Sequence, residues 1–470
     1  MPEEFTAALA AVLSRELAGF QALRACKQLT AGASQETYRL GVDTASGARL
    51  LALRRSQPTS EAGSSVGGIS LATEARLIQL AAAGGIPGPA IVYVLQPADA
   101  LGTGFIMEWL EGETLGQRIV RADELAAVRP RLARECGEIL GRIHALDWRT
   151  AGLDEDLPTV DPAALVDETW EYYREFNVPV PMIDYAWRWL KANLPEKSRM
   201  TLVHGDFRNG NLMVTPDGIN AVLDWELAHI GDPLRDLGWL CVNSWRFGRS
   251  KLTVGGFGLL DDLLAGYRDS TGIDVSPGQV AFWQVFGSFW WAMATLQMAN
   301  AWRRGETPSL ERPVIGRRSS EAQMDCVNLL IPGDLALPAA DGALDQGTQL
   351  PMPAELLEGV AKFLRDEAAP MLDSHNGFLA RVAANSLGIA RRELLFGGEL
   401  AAREKKRLQV LLARDGELDE LRWELVNRLR AGMALDTQGL AGHLRHTVAG
   451  QLAIDQPRYS ALGEARSNQR

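Results

Sequence analysis

The segment from His204 to Asn211 reads HGDFRNGN and sets an Asp and an Asn five positions apart. A second acidic pair, Asp224 and Glu226, follows a short way downstream. Phosphoryl transfer needs few protein groups: hard oxygen ligands for Mg²⁺, a group that orients or deprotonates the attacking hydroxyl, and a cation with backbone amides for the phosphates. In kinase-type sites an Asp in a tight loop serves as base and an Asn five residues later helps hold metal. A second Asp, ending the next strand pair, bridges metal to phosphate. Asp206, Asn211 and Asp224 have that order and spacing. Asp and Asn are also frequent in plain turns, so a turn explains any one of the three. It does not explain all three together with the preceding His-Gly and the intervening hairpin.

The elements around these residues suit the chemistry. TLVHGDF and INAVLDWE read as apolar strands that deliver Asp206 and Asp224 at their ends, with Pro216-Asp217-Gly218 as the turn after NLMVT. Upstream, residues 1–25 carry helical spacing (Phe5, Leu9, Val12, Leu13, Leu17). KQLTAGASQETYRLGV and ARLLALRRSQ then read as two strands with a turn at Asp43–Gly47. A Gly/Ser-rich loop at 64–70 leads into ATEARLIQLAAAGG, a helix capped by Gly-Gly, and into two more strands, IVYVL and GFIMEWL. The first hundred or so residues therefore predict a small sheet with one helix on it. Beyond residue 120 the pattern is mainly helical, as in the amphipathic run 129–148. Ten of the thirteen tryptophans fall between Trp170 and Trp302, which places most of the large aromatic surface in the core of that helical half.

Residues 331–353 are rich in Pro, Gly, Ala and Asp, lack periodicity and read as a linker. Five helix-like segments follow, among them FLARVAANSLGIARRELLFGG and ELAAREKKRLQVLLARDG, and predict a small all-α bundle over 354–470. The chain of 470 residues is long enough for two or three domains. A net charge of −11 argues against nonspecific nucleic-acid binding. Cys26, Cys136, Cys241 and Cys326 are too scattered for a zinc site or a disulfide framework and suit a reducing cytoplasm. No run approaches the roughly 20 apolar residues that cross a bilayer, and the acidic N-terminus makes a poor signal peptide.

HGDFRNGN and DWE carry the H-G-D-x-x-x-x-N and D-W-E signatures of the aminoglycoside-phosphotransferase-like, or choline-kinase-like, small-molecule kinases. DWELAHIGDPLRDLGWL resembles the branch found fused to, or encoded near, acyl-CoA dehydrogenases. The resemblance covers about residues 25–330. It implies an α+β, protein-kinase-like two-lobed fold: a β-rich N-lobe at 26–110, a helical C-lobe at 111–330, then the separate bundle, which resembles a domain of unknown function. The implied cofactors are ATP and Mg²⁺. Asp206 would be the catalytic base, with Arg208 beside it toward the substrate, and Asn211 and Asp224 would be the metal ligands. His204 would support the loop, Glu226 would be a weaker metal or outer ligand, and Asp232 and Asp236 would brace the loop.

In the N-lobe, TAGASQETYRL stands where the phosphate-covering loop belongs, although Gly32 alone remains of its glycines; Ser34 and nearby amides would meet phosphate. Arg54 takes the slot of the usual strand lysine, with Glu74 as its ion-pair partner. The backbone from Glu108 to Leu110 would meet adenine. Arg208, with Arg246, Arg249, Arg303 and Arg304, suits an anionic or CoA-bearing hydroxylated substrate better than a polycationic antibiotic. The alternatives are an aminoglycoside-type kinase and a pseudokinase-like nucleotide-binding scaffold that recruits a partner, or a second copy, through the bundle. A protein kinase is disfavoured, because no D-F-G or A-P-E segment is present.

Overall fold

The computed structural model describes residues 3–29, 35–56, 68–196, 198–306, 309–337 and 351–467. The opening helix, Glu3–Glu16, buries Leu9, Val12 and Leu13. It ends short of the expected residue 25, because Gly19 at φ +71° takes a left-handed turn and reverses the chain into strand β1 (Phe20–Gln28). Strands β2 (Glu36–Thr44), β3 (Gly47–Ser56), β4 (Ile91–Val94) and β5 (Thr103–Glu108) complete an antiparallel sheet in the order β1-β2-β3-β5-β4.

Alternation along β3 decides which arginine reaches the cleft. Leu51 and Leu53 enter the core with Leu9, Leu13, Leu40 and Ile106. Arg55 shares their face, its guanidinium 4.2 Å from the Phe5 ring. Arg54 therefore points the other way, toward Glu74 on the Leu71–Ala83 helix. Ser70 caps that helix by accepting the Thr73 N–H at 3.1 Å.

The C-lobe is helical around four short strands: β6 (Thr201–Val203), β7 (Leu212–Thr215), β8 (Gly218–Val222) and β9 (His229–Gly231). β7 and β8 form the expected hairpin. β6 pairs with β9, a three-residue strand too short to show in the sequence pattern. Trp225 and Trp283 are fully buried and Trp239 and Trp245 nearly so, while Trp302 is exposed.

Past the linker, most of which lies outside the described residues, come the Pro353–Phe363, Ser374–Leu412, Leu418–Arg430, Leu440–Asp455 and Ser460–Ser467 helices. The expected break at Gly397-Gly398 is absent, and one 39-residue helix runs through it. A helical Gly costs only about 1 kcal/mol relative to Ala, which packing on both sides overrides. The bundle was expected to stand apart, yet its core is shared. Leu408, Leu421, Leu425 and Leu444 lie in one apolar cluster with Tyr173, Met182 and Phe286 of the C-lobe. An ion pair crosses the same contact: Arg430 Nε donates to Asp184 Oδ1 at 2.7 Å, and Asp184 is 0% exposed. Removing one partner of a buried pair strands the other charge. Arg430→Gln is therefore expected to cost roughly 3 kcal/mol, read as a lower urea midpoint at unchanged m.

Among the described residues, no helix is long and apolar enough to cross a membrane.

Candidate functional site

The loop after β6 is fixed from below by one carboxylate. Asp236, fully buried, accepts the His204 N–H at 2.8 Å and the Gly205 N–H at 2.9 Å, and its Oδ2 lies 3.2 Å from His144 Nε2. Burial opposes its charge, but the hydrogen bond with His144 and the His204 contacts hold the carboxyl below the ordinary range. Gly205, at φ +83°, is required because a Cβ there would strike the Leu227 carbonyl. His204 is buried and held neutral by desolvation; Nδ1 accepts the Asp206 N–H at 3.2 Å and Nε2 donates to Leu223 O at 3.1 Å. It links the loop to the strand end that carries Asp224. Asp232 caps the next helix, Leu234–Leu240, by accepting the Leu234 N–H at 2.9 Å.

Asp206 then rises into the cleft held by three donors. Asn211 Nδ2 reaches Oδ2 at 2.6 Å, while Arg208 Nε and Trp239 Nε1 reach Oδ1 at 2.9 and 2.7 Å. The Arg208 guanidinium lies 4.6 Å from the Trp245 ring. Asn211 and Asp224 are neighbours through the backbone, since Leu223 N–H donates to Asn211 O at 2.8 Å. Asp224 adopts φ +65°, a left-handed conformation uncommon outside glycine and concentrated at functional sites.

Arg54 closes the cleft from the N-lobe. Its Nη2 donates to Asp224 Oδ1 at 2.6 Å and lies 3.4 Å from Glu226 Oε2, its Nε donates to Gln35, and its Nη1 is 3.2 Å from Glu74 Oε1. Glu74 is nearly inaccessible, and burial pushes its carboxyl up to about 7 against the pull of Arg54. The folded value lies above the ordinary 4.5, so the resulting contribution to stability is complete below pH 4.5 and is lost as pH rises through about 7. Pairing with Arg54 has the opposite demand, because it needs the ionised acid. kcat/KM for nucleotide is expected to rise as pH passes about 7, and Glu74→Gln should remove that limb from the profile.

Asp206, Arg208, Asn211, Asp224, Arg54 and Glu74 thus converge on one cleft, with Glu226 at its edge. Gly32 and Ser34 lie outside the described residues. In the hinge, Glu108 N–H donates to Ala90 O at 2.9 Å and Trp109 N–H to Leu50 O at 3.2 Å, leaving the Leu110 N–H as the donor not engaged by another described residue. The other basic residues do not gather as expected. Arg246 is buried and donates to the Cys241 and Ser250 carbonyls, Arg249 and Arg303 are exposed, and exposed Arg304 pairs with Glu306 at 2.7 Å.

Three residues escaped the sequence reading. Trp239 and Gln35 fall inside DWELAHIGDPLRDLGWL and TAGASQETYRL with no role marked by those patterns, and only their contacts identify them. Arg235, in GDPLRDL, makes no ion pair among the described residues. Its Nη1 donates at 2.6 Å to Nε2 of His229, whose pKa is held down to about 3 by burial and by Arg235 itself. With Gly205, Trp239, Trp283, Phe286 and Trp290 it lines a small cavity beside the Asp206 loop.

Asn211 and Asp224 offer the hard oxygens that Mg²⁺ prefers. Among the described residues no group of three or more His, Cys, Asp or Glu is disposed to hold a metal. Such a sparse set fits Mg²⁺, which takes one or two carboxylates and fills its shell with water and phosphate oxygens.

A family model described as the phosphotransferase enzyme family matches residues 25–273, and a model for a domain of unknown function matches residues 370–459. Acyl-CoA dehydrogenase family member 10 of Mus musculus is 31% identical over 178 residues, which are 36% of this chain and 16% of that protein. Acyl-CoA dehydrogenase family member 11 of Rattus norvegicus is 31% identical over 208 residues, 40% of this chain and 26% of that protein. The matches thus span about a quarter or less of those curated relatives. Among solved structures, a candidate aminoglycoside phosphotransferase of Ralstonia eutropha superposes with a TM-score of 0.56 at 21% identity, over 68% of this chain and 96% of its own. That likeness establishes the two-lobed fold.

Proposed function

The chain belongs to the phosphotransferase enzyme family, and from that premise we propose that it transfers the γ-phosphoryl group of Mg-ATP to a hydroxyl of a small anionic metabolite. The observation that carries this reading is the Asp206 carboxylate, oriented by Asn211, Arg208 and Trp239 next to Asp224. Asp206 takes the proton of the acceptor hydroxyl as that oxygen bonds to the γ-phosphorus and the bond to the β,γ-bridging oxygen breaks, giving a phosphate monoester and ADP. Asn211 and Asp224 would hold Mg²⁺, which when bound offsets the phosphate charge. Arg54 meets the phosphates from the N-lobe, and the hinge from Glu108 to Leu110 receives adenine. The four free cysteines suit work in the cytoplasm.

The acceptor side is cationic and aromatic, and it favours an anion over a polycation. Arg208 and Arg235 flank the Asp206 loop without any carboxylate beyond Asp206 within ion-pair distance among the described residues. A hydroxyacyl-CoA is the acceptor class that this setting and the acyl-CoA dehydrogenase relatives support best. Its kcat/KM should exceed that of kanamycin, and Arg235→Gln should lower it about tenfold with the KM for ATP unchanged. Equal turnover of kanamycin and the hydroxyacyl-CoA would overturn the anionic reading.

A further inference from the structure

A cleft of about 270 Å³ lies between the C-terminal helices and the C-lobe. Pro179–Met182 and Gln323 line one side, and residues of the Ser374–Leu412, Leu418–Arg430 and Leu440–Asp455 helices line the other. None of these segments supplies a residue to the Asp206 cluster, so the cleft is a second site whose chemistry is independent of the first.

One wall is cationic. Arg422 is taken up by Glu404, in a two-pronged pair at 2.9 and 2.7 Å. Glu393 is paired with Arg317. Arg407 has neither carboxylate within ion-pair distance, nor any other among the described residues. Its Nη2 donates to Thr447 Oγ1 at 3.1 Å, and its Nε is buried without an acceptor. Beside it His443 is 2% exposed, and neither ring nitrogen has a hydrogen-bond partner. Burial, with Arg407 and Arg422 adding to it, holds His443 down to about 3, so the ring is neutral and keeps one idle N–H. His446 is already engaged, donating through Nδ1 to Gly442 O at 2.7 Å and accepting the Ala336 N–H at 3.2 Å. Apolar side chains complete the lining: Val180 and Met182 on the facing side, and Leu400, Leu444 and Val448 on the helices that carry Arg407 and His443.

Buried polar groups are almost always hydrogen-bonded, and buried charges are paired. A half-buried arginine whose nearby carboxylate, Glu404, is committed to Arg422, beside a buried histidine with two idle nitrogens, defines the missing partner. We propose that this cleft binds a small organic anion, with a carboxylate or phosphate headgroup on the Arg407 guanidinium and the His443 N–H, and a short apolar chain against Leu444, Val448 and Met182. Neither family model assigns such a site, and it does not depend on phosphoryl transfer.

The test is calorimetric titration of the full chain with octanoate, inorganic phosphate and octanol, which carry both features, the charge alone and the chain alone. Octanoate is expected to bind saturably at one site per chain and more tightly than either of the others. Arg407→Gln and His443→Gln should each weaken it, the arginine variant by about tenfold. Thermal melting checks that each variant is folded, and ring-nitrogen NMR of the wild type gives a readout that needs no variant: octanoate should shift the His443 signals. Absence of saturable octanoate binding, binding equal in both folded variants and wild type, or unmoved His443 signals on saturation would each overturn the proposal.

Discussion

Asp206→Asn is expected to lower the rate of phosphoryl transfer by roughly 10³-fold while leaving nucleotide affinity unchanged. The substitution preserves size and removes the carboxylate proposed to accept the proton. Three donors converge on this carboxylate, so an amide put in its place must turn its own NH₂ against at least one of them. With its oxygen kept toward Arg208 and Trp239, the amide turns its NH₂ against Asn211, and the contact that orients the group from that side is lost. Nucleotide binding should survive, because Arg54 contacts Asp224, Glu226 and Glu74 and not Asp206. Single-turnover kinetics beside a fluorescent-nucleotide titration separates the two quantities. A rate within tenfold of wild type would place the base elsewhere.

The second large effect concerns the C-terminal helices. Deleting residues 354–470 is expected to yield an aggregating or molten protein, not a smaller kinase. Leu408, Leu412, Leu421, Leu425, Leu429 and Leu444 are essentially inaccessible, in one cluster with Met182, Phe286 and Phe289. Each fully buried Leu contributes about 1.5–3 kcal/mol, so losing the contact removes an amount comparable to the whole stability of a domain, about 5–15 kcal/mol. Asp184 would also lose Arg430. The loss reaches the candidate site as well. Asn243 Nδ2 donates to Asp325 Oδ1 at 2.9 Å and Tyr459 OH to Asp325 Oδ2 at 2.8 Å, while Ser460 Oγ donates to Asn243 Oδ1 at 3.2 Å. That network anchors the Asn243–Trp245 turn, whose Trp245 lies under Arg208. Size-exclusion chromatography and dye binding report the outcome; a monodisperse truncated protein that unfolds in one cooperative step would show that the shared core is dispensable.

These two cases mark what the sequence could and could not reveal. The candidate segment was legible because its geometry is local. An Asp and an Asn five apart, strand ends before Asp206 and Asp224, and a turn between fix geometry within about twenty residues. The choice of Arg54 over Arg55 was likewise open to reading, since a strand sends neighbours to opposite faces. β1 was missed because FQALRACKQ has no clean alternation, its burial being irregular along the strand, and nothing in the composition announces that Gly19 turns the chain. The shared core was hidden for another reason. Amphipathic helices show that they need a partner but not which one, and Tyr173 and Leu425 are far apart in sequence. Trp239 and Arg235 belong to the same class, since tertiary contact alone separates a working Trp or Arg from a packed or solvated one.

The most direct test follows phosphorus. The full chain, incubated with Mg-ATP and a 4-hydroxyacyl-CoA, is observed by ³¹P NMR with Asp206→Asn in parallel. The expected result is a phosphomonoester resonance on the acyl chain that grows in step with ADP, is absent without acceptor or with a chelator, and is nearly lost in Asp206→Asn. ATP that stays intact, or that gives only inorganic phosphate at the same rate in both proteins, would contradict Asp206 as the base of a small-molecule kinase.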